Sequence, residues 1–173
     1  MSEINLTKSK YCQAVQCEKI LWLNKYRPLP KEENGILKKG KEVGELAKGL
    51  FGDYEDVPYD ENQSVRVKKT EELLKNKENI ITEASFSYKN NFCSVDILKN
   101  DPDGVEIYEV KSSTEIKDIY VDDVSYQYFV LSNLNLNVKK ACIVYINKDY
   151  IRGKNLDMKE LFNINDLTED VIE

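Results

Sequence analysis

The sequence contains no histidine. That absence removes Ser-His-Asp and Cys-His catalysis, histidine-ligated zinc and imidazole acid–base chemistry in one step. Any chemistry must come from carboxylates, lysines, thiols, hydroxyls or a hard metal ion. Glycine and proline are scarce, at seven and four in 173 residues, which excludes collagen-like and low-complexity chains. No apolar run approaches the ~20 residues that span a bilayer, and the polar start MSEINLTKSK does not read as a signal peptide. A cytoplasmic protein without a membrane partner is expected. Positive charge is in deficit too: the formal net charge of -6 argues against a generic electrostatic nucleic-acid binder.

Cysteine is sparse and unpatterned. Cys12 and Cys17 stand five apart, and Cys93 and Cys142 lie singly in apolar segments. No CxxC pair offers a zinc site, and a cytosolic setting disfavours disulfides. Buried, reduced thiols are the expectation, with Cys17 set apart by its surroundings.

What is present is enough helix and strand signal for a single domain over residues 1–173. Leu6 to Tyr26 reads as a helix with Thr7 as N-cap; Val15, Ile20, Leu21 and Leu23 contribute to its apolar face, beside Tyr11 and Trp22. Arg27-Pro28-Leu29-Pro30 ends it. A second helix is predicted from about Gly35 to Leu50, burying Ile36, Leu37, Val43, Leu46, Ala47 and Leu50. Phe51 to Gln63 reads as an acidic loop, and Ser64 as the cap of a third helix ending near Lys77. Then the period changes. Ile80–Lys89, Asn91–Lys99 and Val105–Ser112 read as strands, with the turn Asn100-Asp101-Pro102-Asp103-Gly104 between the last two. A helix over Lys117–Leu134, a buried strand over Val138–Ile146 and a short helix at Met158–Phe162 follow. Asp166-Leu-Thr-Glu-Asp looks like the start of one more element. The order predicts a mixed sheet flanked by helices.

Two segments place charge inside strands: Ser94-Val95-Asp96-Ile97-Leu98 and Ile107-Tyr108-Glu109-Val110-Lys111-Ser112. Alternation puts Glu109 and Lys111 on one face, with Tyr108 and Val110 on the other. A loop from Asp101 to Gly104 sets Asn100 against Val105 and Asp96 against Glu109. Two carboxylates facing each other across a strand pair repel, so something must compensate. Lys111 neutralises one charge, and a divalent cation such as Mg²⁺ neutralises more, because it takes one or two carboxylates plus water and phosphate oxygens. A bound metal lowers the pKa of a water, and the lysine stabilises developing charge at phosphorus. The parts for metal-assisted phosphodiester hydrolysis are therefore present. A cross-strand salt bridge at a sheet edge is the bland reading of the same short pattern.

With Asp on the second strand and Glu-x-Lys on the third, the α-β-β-β-α-β order resembles the core of the PD-(D/E)XK nuclease superfamily. Within it the chain looks like the RecB-type branch, which includes CRISPR-associated RecB-like exonucleases and a related bacterial domain family. The likeness rests on Leu6-Thr-Lys-Ser-Lys-Tyr11, Gln16-Cys17-Glu-Lys-Ile-Leu-Trp22-Leu and Val43-Gly44-Glu45-Leu-Ala-Lys-Gly-Leu-Phe51. It continues through Asp96, Glu109-Val-Lys111, Asp123-Val-Ser-Tyr126-Gln127 and Tyr145-Ile-Asn-Lys-Asp-Tyr-Ile-Arg-Gly153.

The resemblance implies a restriction-endonuclease-like fold with extra N-terminal helices. It implies Asp96 and Glu109 as ligands of Mg²⁺ or Mn²⁺, the Val110 carbonyl as a main-chain ligand, Lys111 as the catalytic lysine and Gln127 as a supporting residue, although Gln127 reads equally as a solvated helix residue. Glu83 sits where relatives often carry an acidic residue on the first strand, and Tyr126 reads equally as a helix aromatic packing on the sheet. Many relatives place a metal-binding histidine on the second helix; here Gly44 occupies that position, and Glu45 beside it is the candidate third carboxylate. Neighbouring helix positions point about 100° apart, so the exchange is not automatic, and Glu45 reads alternatively as a solvated helix residue. Cys17 matches the first cysteine of relatives that hold a 4Fe–4S cluster, but no downstream trio accompanies it, so no cluster is expected in this chain. The orphan cysteine and the abrupt end at Glu173 imply a shortened relative, or an additional C-terminal region or partner subunit.

The expected function is a metal-dependent DNA nuclease, a RecB-like exonuclease acting on single strands or DNA ends. Lys38-Lys39-Gly40-Lys41 and Arg66-Val-Lys68-Lys69 offer local positive potential for phosphates, or are solvated helix faces. The competing expectation is a catalytically inactive nuclease-fold module that binds nucleic acid or a partner protein.

Overall fold

A computed structural model describes residues 6–28 and 35–172, with side chains in the second stretch from residue 38 onward. Ile36 and Leu37, two of the apolar positions assigned to the second helix, fall outside the described side chains. The first described element is a two-residue strand, β1 (Leu6–Thr7), followed by α1 (Lys8–Gln16), which Thr7 caps by accepting the Lys10 N–H at 3.4 Å. The single helix expected over Leu6–Tyr26 is in fact broken. Cys17 turns extended at φ -158°, and α2 (Ile20–Tyr26) folds back so that the Asn24 side-chain amide donates to Gln13 Oε1 at 3.0 Å. The apolar period belongs to two short helices with different fates: Tyr11 of α1 stacks on Tyr126, whereas Trp22, Leu23 and Tyr26 of α2 are exposed.

The second helix is α3 (Gly35–Lys48), continued by a 3-10 turn over Gly49–Phe51. Ala47 and Leu50 are buried as expected, but Leu46 is exposed. The segment read as an acidic loop contains β2 (Glu55–Asp56), and Val57 just after it is fully buried. Asn62, not Ser64, caps α4 (Gln63–Lys75), its side chain accepting from Ser64 N–H at 3.0 Å.

Three long strands follow: β3 (Ile80–Tyr88), β4 (Asn91–Asp101) and β5 (Gly104–Lys111), joined as an antiparallel meander. Helix α5 (Asp118–Asn133) then crosses over so that β6 (Val138–Ile146) lies parallel to β5. The tail forms α6 (Met158–Leu161), β7 (Phe162–Asp166) and α7 (Thr168–Ile172). Phe162 thus leaves the predicted helix and starts an edge strand antiparallel to β6, while Asp166 accepts the Thr168 N–H at 2.9 Å to start α7. The seven-stranded mixed sheet has the order β2-β3-β4-β5-β6-β7, with β1 added on β4. One face carries α5 and α4 over Val95, Leu98, Ile107 and Ile143; the other carries α3 and α6 against Ile97, Tyr108 and Val144. The chain is a mixed α/β protein with helices on both faces of its sheet. No helix among the described residues is long and apolar enough to cross a membrane.

The β4–β5 register is the one the turn implies, with Asn100 opposite Val105 and Asp101 opposite Gly104. Gly104 is required there. Its φ is +149°, and a Cβ would come within 2.4 Å of the Asn137 carbonyl oxygen.

Farther along, the ladder changes. β4 and β5 stay paired only as far as Ile97 and Tyr108, and the first residues of β4, Asn91 and Phe92, pair with β1 instead. On the other side of β4, Glu83 and Asp96 lie between the pairs Thr82–Ile97 and Ala84–Val95, and Glu83 has a left-handed φ of +56°. Both strands lose one step of alternation here. Ile81 and Ala84 pack on the same face although three residues apart, and Val95 and Ile97 pack on opposite faces although two apart. Such an irregularity re-aims side chains, and the one it releases is Asp96.

Candidate active site

Asp96 stands at the fork where β4 leaves β5. Its Oδ2 accepts the Val110 backbone N–H at 2.7 Å, replacing the strand partner that the amide has lost. The next step of the register sets Asp96 against Glu109, as the sequence implies. Burial, and then the negative charge of Glu109, push the Asp96 carboxyl up to about 7, with Lys8 opposing.

Glu109 is 4% exposed, yet its charge is compensated from three sides. Lys8 Nζ donates to both of its oxygens at 2.8 Å, Lys111 Nζ to Oε1 at 2.7 Å and Gln127 Nε2 to Oε2 at 2.7 Å. Burial alone would raise its pKa, but Lys8 and Lys111 outweigh it and hold the group well below the usual carboxylate range. The alternation of β5 puts Glu109 and Lys111 on one face, as predicted, and that face is the one α5 covers.

Asp123, one turn before Gln127 on α5, completes the cluster. Lys111 donates to its Oδ2, Lys8 approaches Oδ1 at 3.2 Å and Gln127 Nε2 donates to Oδ1 at 3.1 Å. Burial and the neighbouring Glu109 raise its pKa against the pull of both lysines. For Lys8 and Lys111 burial disfavours the charge, but Glu109 and Asp123 reverse that effect and keep both as ammonium ions. Gln127 is fully buried, and its orientation is dictated chemically, since turning the amide would set Oε1 against two carboxylates. The cost is that Gln127 Oε1 has no hydrogen-bond partner.

The sequence-derived site residues divide cleanly. Asp96, Glu109, Lys111, Gln127 and the Val110 backbone converge, although the Val110 group that meets Asp96 is its amide rather than its carbonyl. Glu45 makes an ion pair of its own. Its side chain is 69% exposed and pairs with Lys48 at 3.0 Å, which also holds Asp56 at 2.9 Å. A side chain at Gly44 would have room, because a Cβ there meets nothing within 4 Å. Glu83 borders the cluster, with Arg66 at 3.9 Å. Burial raises its pKa, against the positive charges of Lys48 and Arg66. Tyr126 is buried and donates its hydroxyl to the Leu6 carbonyl at 2.8 Å, which ties β1 to α5.

Lys8 and Asp123 were missed as site residues. Asp123 carried a signal, lying four residues before Gln127 on one helix face. Lys8 lay in one of the strings that carry the family likeness, but nothing tied it to Glu109, 101 residues away. Of the thiols, Cys93 and Cys142 are buried as expected, Cys12 is half-buried and Cys17 is exposed at the α1–α2 break.

Among the described residues, no group of three or more acidic or cysteine side chains is placed to hold a metal ion. The chemistry of the donors nevertheless fits a hard divalent cation held by two carboxylates and water. Three carboxylates face two ammonium groups, and Asp96 carries the uncompensated charge. Comparison with protein-family models finds no match to this chain, and comparison with curated proteins finds none either. The site therefore stands on its own geometry.

Proposed function

We propose that this chain is a metal-dependent DNA nuclease of the RecB-like type, related to the PD-(D/E)XK enzymes, that hydrolyses phosphodiester bonds. The observation that carries the reading is Asp96 at the β4–β5 fork, one register step beyond the Ile97–Tyr108 pair and so across from Glu109, which Lys111 and Gln127 back. Asp96 and Glu109 would hold Mg²⁺ or Mn²⁺. When bound, such an ion supplies a water of lowered pKa and neutralises phosphate charge. Lys111 stays protonated beside Glu109 and Asp123, so its part is to orient water and to stabilise charge developing at phosphorus, not to act as a base. Gln127 fixes the Glu109 carboxylate from behind. Gly40 of α3 lies against Ser112, the residue after Lys111, and the exposed Lys38, Lys39 and Lys41 around it would serve as phosphate contacts.

A second reading, a catalytically silent module that binds nucleic acid or a partner protein, is favoured by one observation. Lys8 already engages both oxygens of Glu109. Incubation of labelled single- and double-stranded DNA with Mn²⁺ separates the two readings. The nuclease cleaves, and Asp96→Ala and Lys111→Ala each abolish cleavage; unchanged cleavage in both variants overturns the assignment. No cleavage by the unmodified protein, together with no Mn²⁺ effect on its melting temperature, supports the silent module.

A further inference from the structure

Lys8 is placed deliberately. Its backbone is pinned to the sheet by the β1–β4 pairing, by Leu6 N–H donating to Asn90 O at 2.8 Å and by the Tyr126 hydroxyl on Leu6 O. The Lys8 side chain is only 19% exposed and ends between Glu109 and Asp123. An ammonium bonded to both oxygens of one carboxylate occupies the same donor atoms that a divalent ion uses. Of the two lysines, Lys111 bonds one oxygen each of Glu109 and Asp123, whereas Lys8 bonds both oxygens of Glu109 and also approaches Asp123.

We infer that Lys8 is the resident counter-cation of this site, which a divalent ion must displace from Glu109 in order to bind. The inference rests on the proposed use of Asp96 and Glu109 as metal ligands. Lys8 keeps the ion-free cluster near neutrality and holds α1 on the sheet. When an ion takes Glu109, Lys8 retains Asp123 as its acceptor, so the ammonium shifts by one carboxylate and stays at the site. It is a positioning residue that sets how tightly the ion is held.

The test counts free Mn²⁺ by electron paramagnetic resonance during titration of the full chain and its variants, with no nucleic acid present. Lys8→Met removes the competing charge and is expected to tighten Mn²⁺ binding by about tenfold or more, the scale of deleting one cation a few ångströms away in a partly buried site. Lys8→Arg retains the charge and is expected to bind as weakly as the unmodified chain. Equal or weaker binding by Lys8→Met, with the unmodified chain binding Mn²⁺, overturns the inference and leaves the nuclease reading intact. Absence of Mn²⁺ binding by every form overturns both. A second measurement needs no variant: amine-directed labelling of Lys8, followed by mass spectrometry, should quicken several-fold on Mn²⁺ addition. Unchanged labelling at saturating Mn²⁺ counts against displacement.

Discussion

The Asp96 carboxylate accepts the Val110 backbone N–H at 2.7 Å, so a side chain stands where the antiparallel ladder would supply a carbonyl. This one bond explains how a carboxylate is kept at a sheet interior. It satisfies the amide that strand separation exposes. Asp96 is thus held structurally through Oδ2.

The raised Asp96 carboxyl makes stability depend on pH in a direction unusual for an aspartate. Its pKa lies near 7 in the fold, against 3.8 as the ordinary value. The folded state therefore binds the extra proton between these values, and its contribution to stability is lost as pH rises through about 7. The slope for one full proton is about 1.4 kcal/mol per pH unit. Melting temperatures measured in EDTA from pH 5 to 8 should fall more steeply for the unmodified protein than for Asp96→Asn. Parallel curves would show that Asp96 titrates normally.

Glu109 has the opposite role, holding two buried ammonium groups. Glu109→Gln leaves Lys8 and Lys111 sharing Asp123 alone, and breaking a buried pair by removing one partner costs roughly 3–5 kcal/mol. The expected drop in melting temperature is on the order of 10 °C for a chain of this size. A shift of less than about 2 °C would mean that the lysines find other acceptors at little cost.

Glu83 pays for the fork in backbone strain. A non-glycine residue at a φ of +56° costs about 1–2 kcal/mol, so Glu83→Gly should stabilise the protein by about 1 kcal/mol. Glu83→Val should destabilise it by at least as much, because a β-branched side chain suits that region least. Urea midpoints of the three proteins check the order, and a destabilised glycine variant would contradict it.

Gly104 is the covalent anchor of the register. With a Cβ forced to within 2.4 Å of Asn137 O, Gly104→Ala is expected to cost about 2 kcal/mol or more in denaturant unfolding. The opposition of Asp96 and Glu109 depends on this turn, so the variant should also weaken Mn²⁺ binding. Unaltered stability would show that the β5–β6 edge yields easily.

That register was the most legible part of the site. The turn residues Asn100 to Gly104 fix which residues oppose, and strand alternation then puts Glu109 and Lys111 together on the face that α5 covers. Gln127 was reached only through the family resemblance, since on its own it read equally as a solvated helix residue. Strands β1, β2 and β7 were not legible, because two to five residues are too few to display a period, and their pairing is decided by neighbours distant in sequence. Lys8 was hidden for the same reason: no local pattern ties the first turn of α1 to the end of β5. The break at Cys17 was also silent, since neither glycine nor proline marks it. Glu45 shows the converse. Its place in a familiar string of residues suggested a ligand, but Lys48, one turn onward on the same helix, claims its carboxylate.

The central claim is that the β4–β5 fork binds a divalent ion through Asp96 and Glu109. Crystals soaked in Mn²⁺ and measured at the manganese absorption edge test it directly. The expected result is an anomalous peak within coordinating distance of both carboxylates, with Lys8 moved off Glu109. No peak at the fork, or a peak only between Glu45 and Asp56, would contradict the account.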